Sequence, residues 1–198
     1  MKKALSLLLA GSMVLSLAAC GGSKDSTSTT KDSSSASSEA AGSDTFKIGG
    51  TGPLTGGAAV YGTAVKNGIQ VAVDEINAAG GINGYQIEFN FQDDEHDAEK
   101  AVNAYNNLKD WGMQVLIGPT TSAPCIAVVE KTHEDNMFQI TPSGTAVECV
   151  QYDNAFRMCF SDPTQGTESA KYIGENGMAQ KVAVIYDSSD VYSTGIYE

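Results

Sequence analysis

Hydrophobic and polar positions alternate in two rhythms along the chain, and the rhythm changes mark the elements. Phe46-Lys47-Ile48 reads as a short strand that runs into a Gly-rich turn, Gly49 to Gly57. Val65, Ile69, Ala72 and Ile76 then recur at steps of four, three and four, one face of a helix that stops at Ala79-Gly80-Gly81. Tyr85 to Phe91 alternates, with Ile87, Phe89 and Phe91 directed inward, a second strand. Asp97 is placed to cap a helix carrying Ala98, Ala101, Val102, Tyr105 and Leu108 on one side. Val115-Leu116-Ile117 is a buried strand ending at Gly118-Pro119. Ser122 can cap a helix through Ile126 and Val129 to about Glu134. Met137–Thr141, Ala155–Phe160 and Lys181–Tyr186 are further strands, and a helix from about Pro163 to Glu175, stopped by Gly177, separates the last two.

Strands alternating with helices imply right-handed βαβ crossovers, hence an α/β fold with a parallel, doubly wound sheet. In such sheets ligands bind beyond the carboxyl ends of the strands, where the strand order reverses. Three small-residue polar loops occupy those ends: Gly52–Gly57, Pro119–Ser122 and Pro142–Thr145. With the common order 2-1-3-4 their strands are neighbours. The loops then converge on one spot rich in hydroxyls and backbone N–H groups, suited to a carboxylate or phosphate.

Ahead of this region the pattern differs. Met1-Lys2-Lys3 is followed by sixteen uncharged residues, Ala4 to Ala19, too short for a bilayer span of about 20 residues and right for a signal-peptide core. Leu17-Ala18-Ala19-Cys20 resembles a bacterial lipobox, which makes residues 1–19 a removable signal and Cys20 the lipidated start. More than one acyl chain there would anchor the protein stably. In residues 21–45, 13 of 25 positions are Ser or Thr with no apolar period, so residues 20–45 are expected to be a flexible tether.

The whole 198-residue chain carries 12 Lys+Arg against 24 Asp+Glu, net −12, and loss of Lys2 and Lys3 would make it −14. No basic stripe exists to neutralise phosphates, which argues against a nucleic-acid partner. The Gly-rich turn is not a dinucleotide fingerprint: Thr55 stands where the third Gly should be, and Pro53 interrupts the turn. The acidic run Asp93-Asp94-Glu95-His96-Asp97 reads as a strand end and helix cap rather than a metal cluster. With no G-x-S-x-G, H-E-x-x-H or C-x-x-C, the chain shows no catalytic constellation and no cofactor is implied. Outside the cytoplasm a cysteine pair can oxidise, and Cys149 with Cys159 is the expected bridge, Cys125 remaining a small core residue.

Gly52-Pro53-Leu54-Thr55-Gly56, Tyr61-Gly62, the stretch from Asp74 to Gly84 (DEINAAGGING) and Asp93-Asp94 resemble the solute receptors of ATP-driven importers for leucine, isoleucine and valine. So do Ile117 to Ser122 (IGPTTS), Thr141 to Ala146 (TPSGTA), Phe156-Arg157 and Asp162 to Gly166 (DPTQG). The resemblance runs from about Phe46 to the last residue. It implies the type I periplasmic-binding-protein fold, two α/β lobes that close on a ligand, with residues 46–160 as the first lobe and 161–198 as the start of the second. The second lobe is only begun, so the chain is expected to be a C-terminally truncated piece.

By that resemblance Ser122 would hold a ligand carboxylate, Thr145 would bind the α-carboxylate and α-amine region, and the Ser143 carbonyl would accept from the ammonium. Tyr61 would wall the ligand side chain, with Asp162 and Tyr192 at the cleft from the opposing lobe. Some members carry a disulfide linking the positions of His96 and Thr121, which this chain cannot form. The implied protein is a monomeric amino-acid receptor, not an enzyme, that serves ABC permease subunits from the outer face of the membrane. A ligand-sensing lipoprotein feeding a signalling partner, and a single-sheet flavodoxin-like enzyme, are the alternatives.

Overall fold

The computed structural model describes residues 45–198. Five strands, β1 (Thr45–Gly52), β2 (Gln86–Asp93), β3 (Val115–Ile117), β4 (Phe138–Thr141) and β5 (Ala155–Arg157), form one sheet in the order β2-β1-β3-β4-β5. Every neighbouring pair is parallel. The helices between them are α1 (Ala59–Ala78), α2 (Ala98–Trp111) and α3 (Ser122–Glu134); a 3₁₀ turn, Val147–Val150, precedes β5, and α4 (Asp162–Glu175) and α5 (Val191–Tyr197) follow it. Helices α2 and α3 pack on each other. Right-handed crossovers put them on one face of the sheet and α1 on the other. The order in which strands are added reverses at β1, with β2 on one side of it and β3, β4 and β5 on the other, as the expected strand order requires.

The main core lies under α2. Ala101, Tyr105 and Leu108, at steps of four and three, meet Met113, Leu116 of β3 and Val128 of α3. Helix α2 starts where its sequence says it should: the Asp97 carboxylate accepts from the Lys100 N–H at 2.9 Å. It ends at Gly112, whose φ of +91° is a left-handed stop.

Helix α1 sits one residue off its expected face. Gly62 and Val73 are buried, Val65 and Ile69 are half-buried, and Ala72 is exposed. Two backbone-level ties set this rotation. Gly62 lies against the Pro53 backbone, where a side chain would strike the carbonyl. At the other end the Asn77 amide donates to the Ile87 carbonyl at 2.9 Å and accepts from the Ile87 N–H at 2.7 Å, clamping α1 to β2.

Two expected strands change. The fifth ends at Arg157 rather than Phe160, because its partner β4 ends opposite it at Thr141; the Met158 N–H closes the ladder on the Thr141 carbonyl at 3.1 Å. Residues Lys181–Tyr186 form no strand. Their apolar side chains are exposed, Ile185 at 99%, and among the described residues no neighbouring strand supplies the hydrogen bonds that an extended segment needs. The described residues therefore build a five-stranded sheet and not the single six-stranded flavodoxin-like one.

Candidate functional site

The carboxyl ends of the strands are bound together by hydroxyl-to-backbone hydrogen bonds. The Thr120 hydroxyl, after β3, donates to the Thr51 carbonyl of β1 at 3.0 Å, and the Thr120 N–H reaches the same oxygen at 3.1 Å. The Ser143 hydroxyl, after β4, donates to the Thr120 carbonyl at 2.6 Å. Thr141 donates to the Pro119 carbonyl at 2.6 Å and accepts from the Gly144 N–H at 2.8 Å. Small residues are required because Gly144 lies on top of Thr141, Cys149 and Cys125, with no room for a Cβ.

The loop after β1 is fixed by Asp93 at the end of β2. Its carboxylate accepts from the Leu54 N–H at 2.7 Å, the Thr55 hydroxyl at 2.8 Å and the Glu95 N–H at 2.9 Å. Burial works to raise the Asp93 pKa, but these donors outweigh it and hold the carboxyl below its ordinary value. Its neighbour Asp94 is fully buried. One oxygen accepts from the His96 N–H at 3.0 Å and the other has no partner among the described residues. Desolvation, assisted by repulsion from Asp93 and Asp97, pushes the Asp94 carboxyl up to about 6. The acids of this run thus cap a strand and a helix and tie down a loop.

Ser122 is the first residue of α3, not its cap; Thr121 precedes it in extended backbone and no side chain caps the helix. The Ser122 hydroxyl turns instead to the loop after β4, accepting from the Thr145 N–H at 3.3 Å and the Ala146 N–H at 3.4 Å and facing the Thr145 hydroxyl at 3.4 Å. Behind that loop the Arg157 guanidinium donates to the carbonyls of Thr145 at 2.8 Å and Ala146 at 3.1 Å. Two hydroxyls and a helix N-terminus therefore converge, with a guanidinium behind them, at the point where β1, β3 and β4 end. Their chemistry suits an anionic group such as a carboxylate.

A cavity of about 460 Å³ opens over these hydroxyls. The structure brings Tyr61, Ser122, Ser143, Thr145 and Tyr192 together around it. Tyr61 is 61% exposed and so is wall rather than core. The Tyr192 hydroxyl accepts from the Gln165 amide at 3.1 Å. Asp162 is not on this wall. It lines an adjoining cavity of about 340 Å³, where it is 1% exposed and neither carboxylate oxygen has a hydrogen-bond partner among the described residues. Burial raises its pKa against the pull of the Arg157 charge.

Sequence reasoning missed His96, Thr121, Phe160 and Asp190 on the wall of the larger cavity. The signal was available for the first and third: the loops after β2 and β5 also end at the carboxyl edge. His96 Nδ1 stands 2.9 Å from the Thr121 hydroxyl, so these two residues face each other on the cavity wall. Cys125, Cys149 and Cys159, which include the expected Cys149–Cys159 pair, are all free thiols in this structure. Cys159 sits on the cavity wall, its thiol on the Gly144 carbonyl at 3.6 Å, while Cys149 is buried against Cys125.

Residues 45–196 match the family model described as periplasmic binding protein. The Leu/Ile/Val-binding protein BraC3 of Rhizobium johnstonii is 36% identical over 151 residues, which cover 75% of this chain and 41% of that protein. The leucine-, isoleucine-, valine-, threonine- and alanine-binding protein of Pseudomonas aeruginosa is 34% identical, with 77% and 41% covered. Among solved structures, the branched-chain amino acid transporter substrate-binding protein LivJ of Streptococcus pneumoniae, in complex with isoleucine, superposes with a TM-score of 0.75 at 36% identity, covering 78% of this chain and 45% of that one. The chain spans about two fifths of the length of the curated relatives it matches. With a parallel sheet in that order, a hydroxyl-lined cavity at its carboxyl edge and a family match over its described length, the chain belongs to the periplasmic binding proteins, a family of extracytoplasmic substrate receptors rather than enzymes.

Proposed function

We propose that the chain carries the carboxylate-gripping lobe of a receptor that binds an amino acid, branched-chain or related, for an ABC importer. The observation that carries the reading is the Ser122–Thr145 hydroxyl pair, 3.4 Å apart, on a helix N-terminus at the floor of a 460 Å³ cavity. A zwitterion entering this space loses water, so its carboxylate must meet preformed donors. The hydroxyls of Ser122 and Thr145 and the start of α3 are such donors, and the Ser143 carbonyl is assigned to the ammonium. Tyr61 and Tyr192, on opposite sides of the chain's division at residues 160 and 161, wall the ligand side chain. Asp162 acts behind the cavity, at the crossing between the first lobe, 46–160, and the start of the second, 161–198. The Leu/Ile/Val-binding relatives and the isoleucine complex support the choice of ligand class.

The receptor is placed outside the membrane as a monomer anchored through lipid on Cys20, with residues 20–45 as its tether and permease subunits as its partners. These residues, and the signal in 1–19, lie outside the described part of the chain, apart from Thr45. Labelling with a palmitate analogue should mark the protein, and Cys20→Ser should abolish the label. Calorimetric titration of the whole receptor, with both lobes present, against a panel of amino acids tests the function: leucine, isoleucine or valine should bind at micromolar concentration or better. Millimolar or no binding across aliphatic and polar amino acids would refute it.

A further inference from the structure

Under the Ser122–Thr145 pair lie two thiols that are not on the cavity wall, and a third, Cys159, lies on that wall. Cys125, one turn into α3, and Cys149, in the 3₁₀ turn, are both fully buried and pack with Ala146. Each thiol is directed at the other's surroundings: Cys125 Sγ lies 4.0 Å from the Cys149 carbonyl, and Cys149 Sγ 3.8 Å from the Ser122 carbonyl. A Cβ built on Gly144 would stand 3.1 Å from Cys149 Sγ and 3.2 Å from Cys125 Cβ, so both cysteines fill the same space beneath that residue. Cys159 approaches the loop separately, on the Gly144 carbonyl and at the cavity wall.

We infer that Cys125 and Cys149, rather than Cys149 and Cys159, are the pair that an oxidant joins, in a disulfide tying the first turn of α3 to the 3₁₀ turn beneath the candidate site. The inference takes from the family only the extracytoplasmic setting, where disulfides persist. The oxidant is a small-molecule disulfide. One cysteine thiolate attacks it and expels one small thiolate, leaving a mixed disulfide on the protein. The second cysteine thiolate attacks the protein-side sulfur, the intramolecular S–S bond forms, and the other small thiolate leaves. Two protein thiols are oxidised with loss of two protons, and one small disulfide is reduced to two thiols. Contact with Cys125 and burial push the Cys149 thiol upward, so exchange proceeds while the chain folds or this turn opens, not in the closed native state. The bridge closes a loop across a sequence separation of 24, long enough to stabilise by restricting the unfolded chain.

Trypsin separates the candidates, since Lys131 lies between Cys125 and Cys149 and Arg157 between Cys149 and Cys159. The full chain, refolded in a glutathione redox buffer and digested without reduction, should yield the Cys125 peptide linked to the Cys149 peptide, with Cys159 free. Cys159→Ser should leave that link and its raised urea midpoint intact, whereas Cys125→Ser should lose both. A Cys149–Cys159 link, a link to Cys20, or all thiols remaining free in unfolded protein after the same treatment would overturn the inference. None of these readouts involves the ligand, so they stand apart from the test of transport function.

Discussion

The hydroxyls of Ser122 and Thr145 stand 3.4 Å apart although 23 residues separate them in sequence. They meet because β3 and β4 are adjacent and parallel, so the loops leaving both strands emerge at one edge. Removing either hydroxyl should leave the ligand carboxylate one donor short. Ser122→Ala and Thr145→Ala should each weaken amino-acid binding by about 1–3 kcal/mol. The double variant should fall short of the sum, because Ser122 also fixes the Thr145 and Ala146 N–H groups. Calorimetry with leucine, isoleucine and valine checks this, and unchanged affinity in both single variants would remove the site assignment.

Asp94 should make stability depend on pH in the direction opposite to that of most carboxylates. Its folded pKa is raised to about 6 from an ordinary 3.8, so between these values the folded chain binds more protons than the unfolded one. Stability contributed at this position is therefore greatest near pH 4 and declines as pH rises through 6. A rise of this size corresponds to about 3 kcal/mol. Asp94→Asn keeps the acceptor for the His96 N–H and removes the charge. It should be more stable than the parent at pH 7.5 by up to about 3 kcal/mol, with the difference closing towards pH 4. Urea unfolding at stepped pH measures it, and a constant difference across the range would exclude Asp94 as the titrating group.

The sheet order and the two central candidate residues were legible because both rest on short-range signals: strand and helix periods, and hydroxyls placed just after strands. The face of α1 was not, since Gly62 against Pro53 and Asn77 against Ile87 outweigh its apolar spacing. Ser122 begins α3 as its motif suggests but makes a different bond from a cap, because the partners of its hydroxyl sit in a loop remote in sequence. Lys181–Tyr186 has a strand's composition and no neighbouring strand, and a strand without one cannot satisfy its backbone. Asp190 reaches the cavity through tertiary placement alone, which no local pattern announces.

Asp93 should prove a positioning residue for the first loop. Three donors converge on its carboxylate, two of them, Leu54 N–H and the Thr55 hydroxyl, from the turn after β1. Its lowered pKa means that its stabilising effect is present above about pH 4 and is lost as pH falls through the folded value. Asp93→Ala should cost about 1–3 kcal/mol at neutral pH and raise hydrogen exchange at Leu54 while leaving α2 protected. Equal exchange at Leu54 in parent and variant would show that the turn holds itself.

Two glycines of α1 should respond to the same substitution with opposite signs. Gly62 is buried, and a Cβ there would strike the carbonyl oxygen, carbon and nitrogen of Pro53, all of them backbone atoms that cannot swing aside. Gly62→Ala must push the start of α1, and with it Tyr61, away from the loop after β1; overpacking of this kind costs about 1–3 kcal/mol or more. Gly68 lies two turns on, exposed, with nothing within 4 Å of the position its Cβ would take. There the change only removes chain entropy from the unfolded state and should stabilise by about 0.5–1 kcal/mol. Because both variants add the same methyl to the same helix, helix propensity cancels between them, and the difference isolates the contact with Pro53. Urea midpoints that fall for Gly62→Ala and rise for Gly68→Ala are the expected result. Gly62→Ala should in addition weaken amino-acid binding, since Tyr61 walls the cavity, whereas Gly68→Ala should leave affinity unchanged. Two midpoints moving together would mean that the Gly62 approach does not set the position of α1.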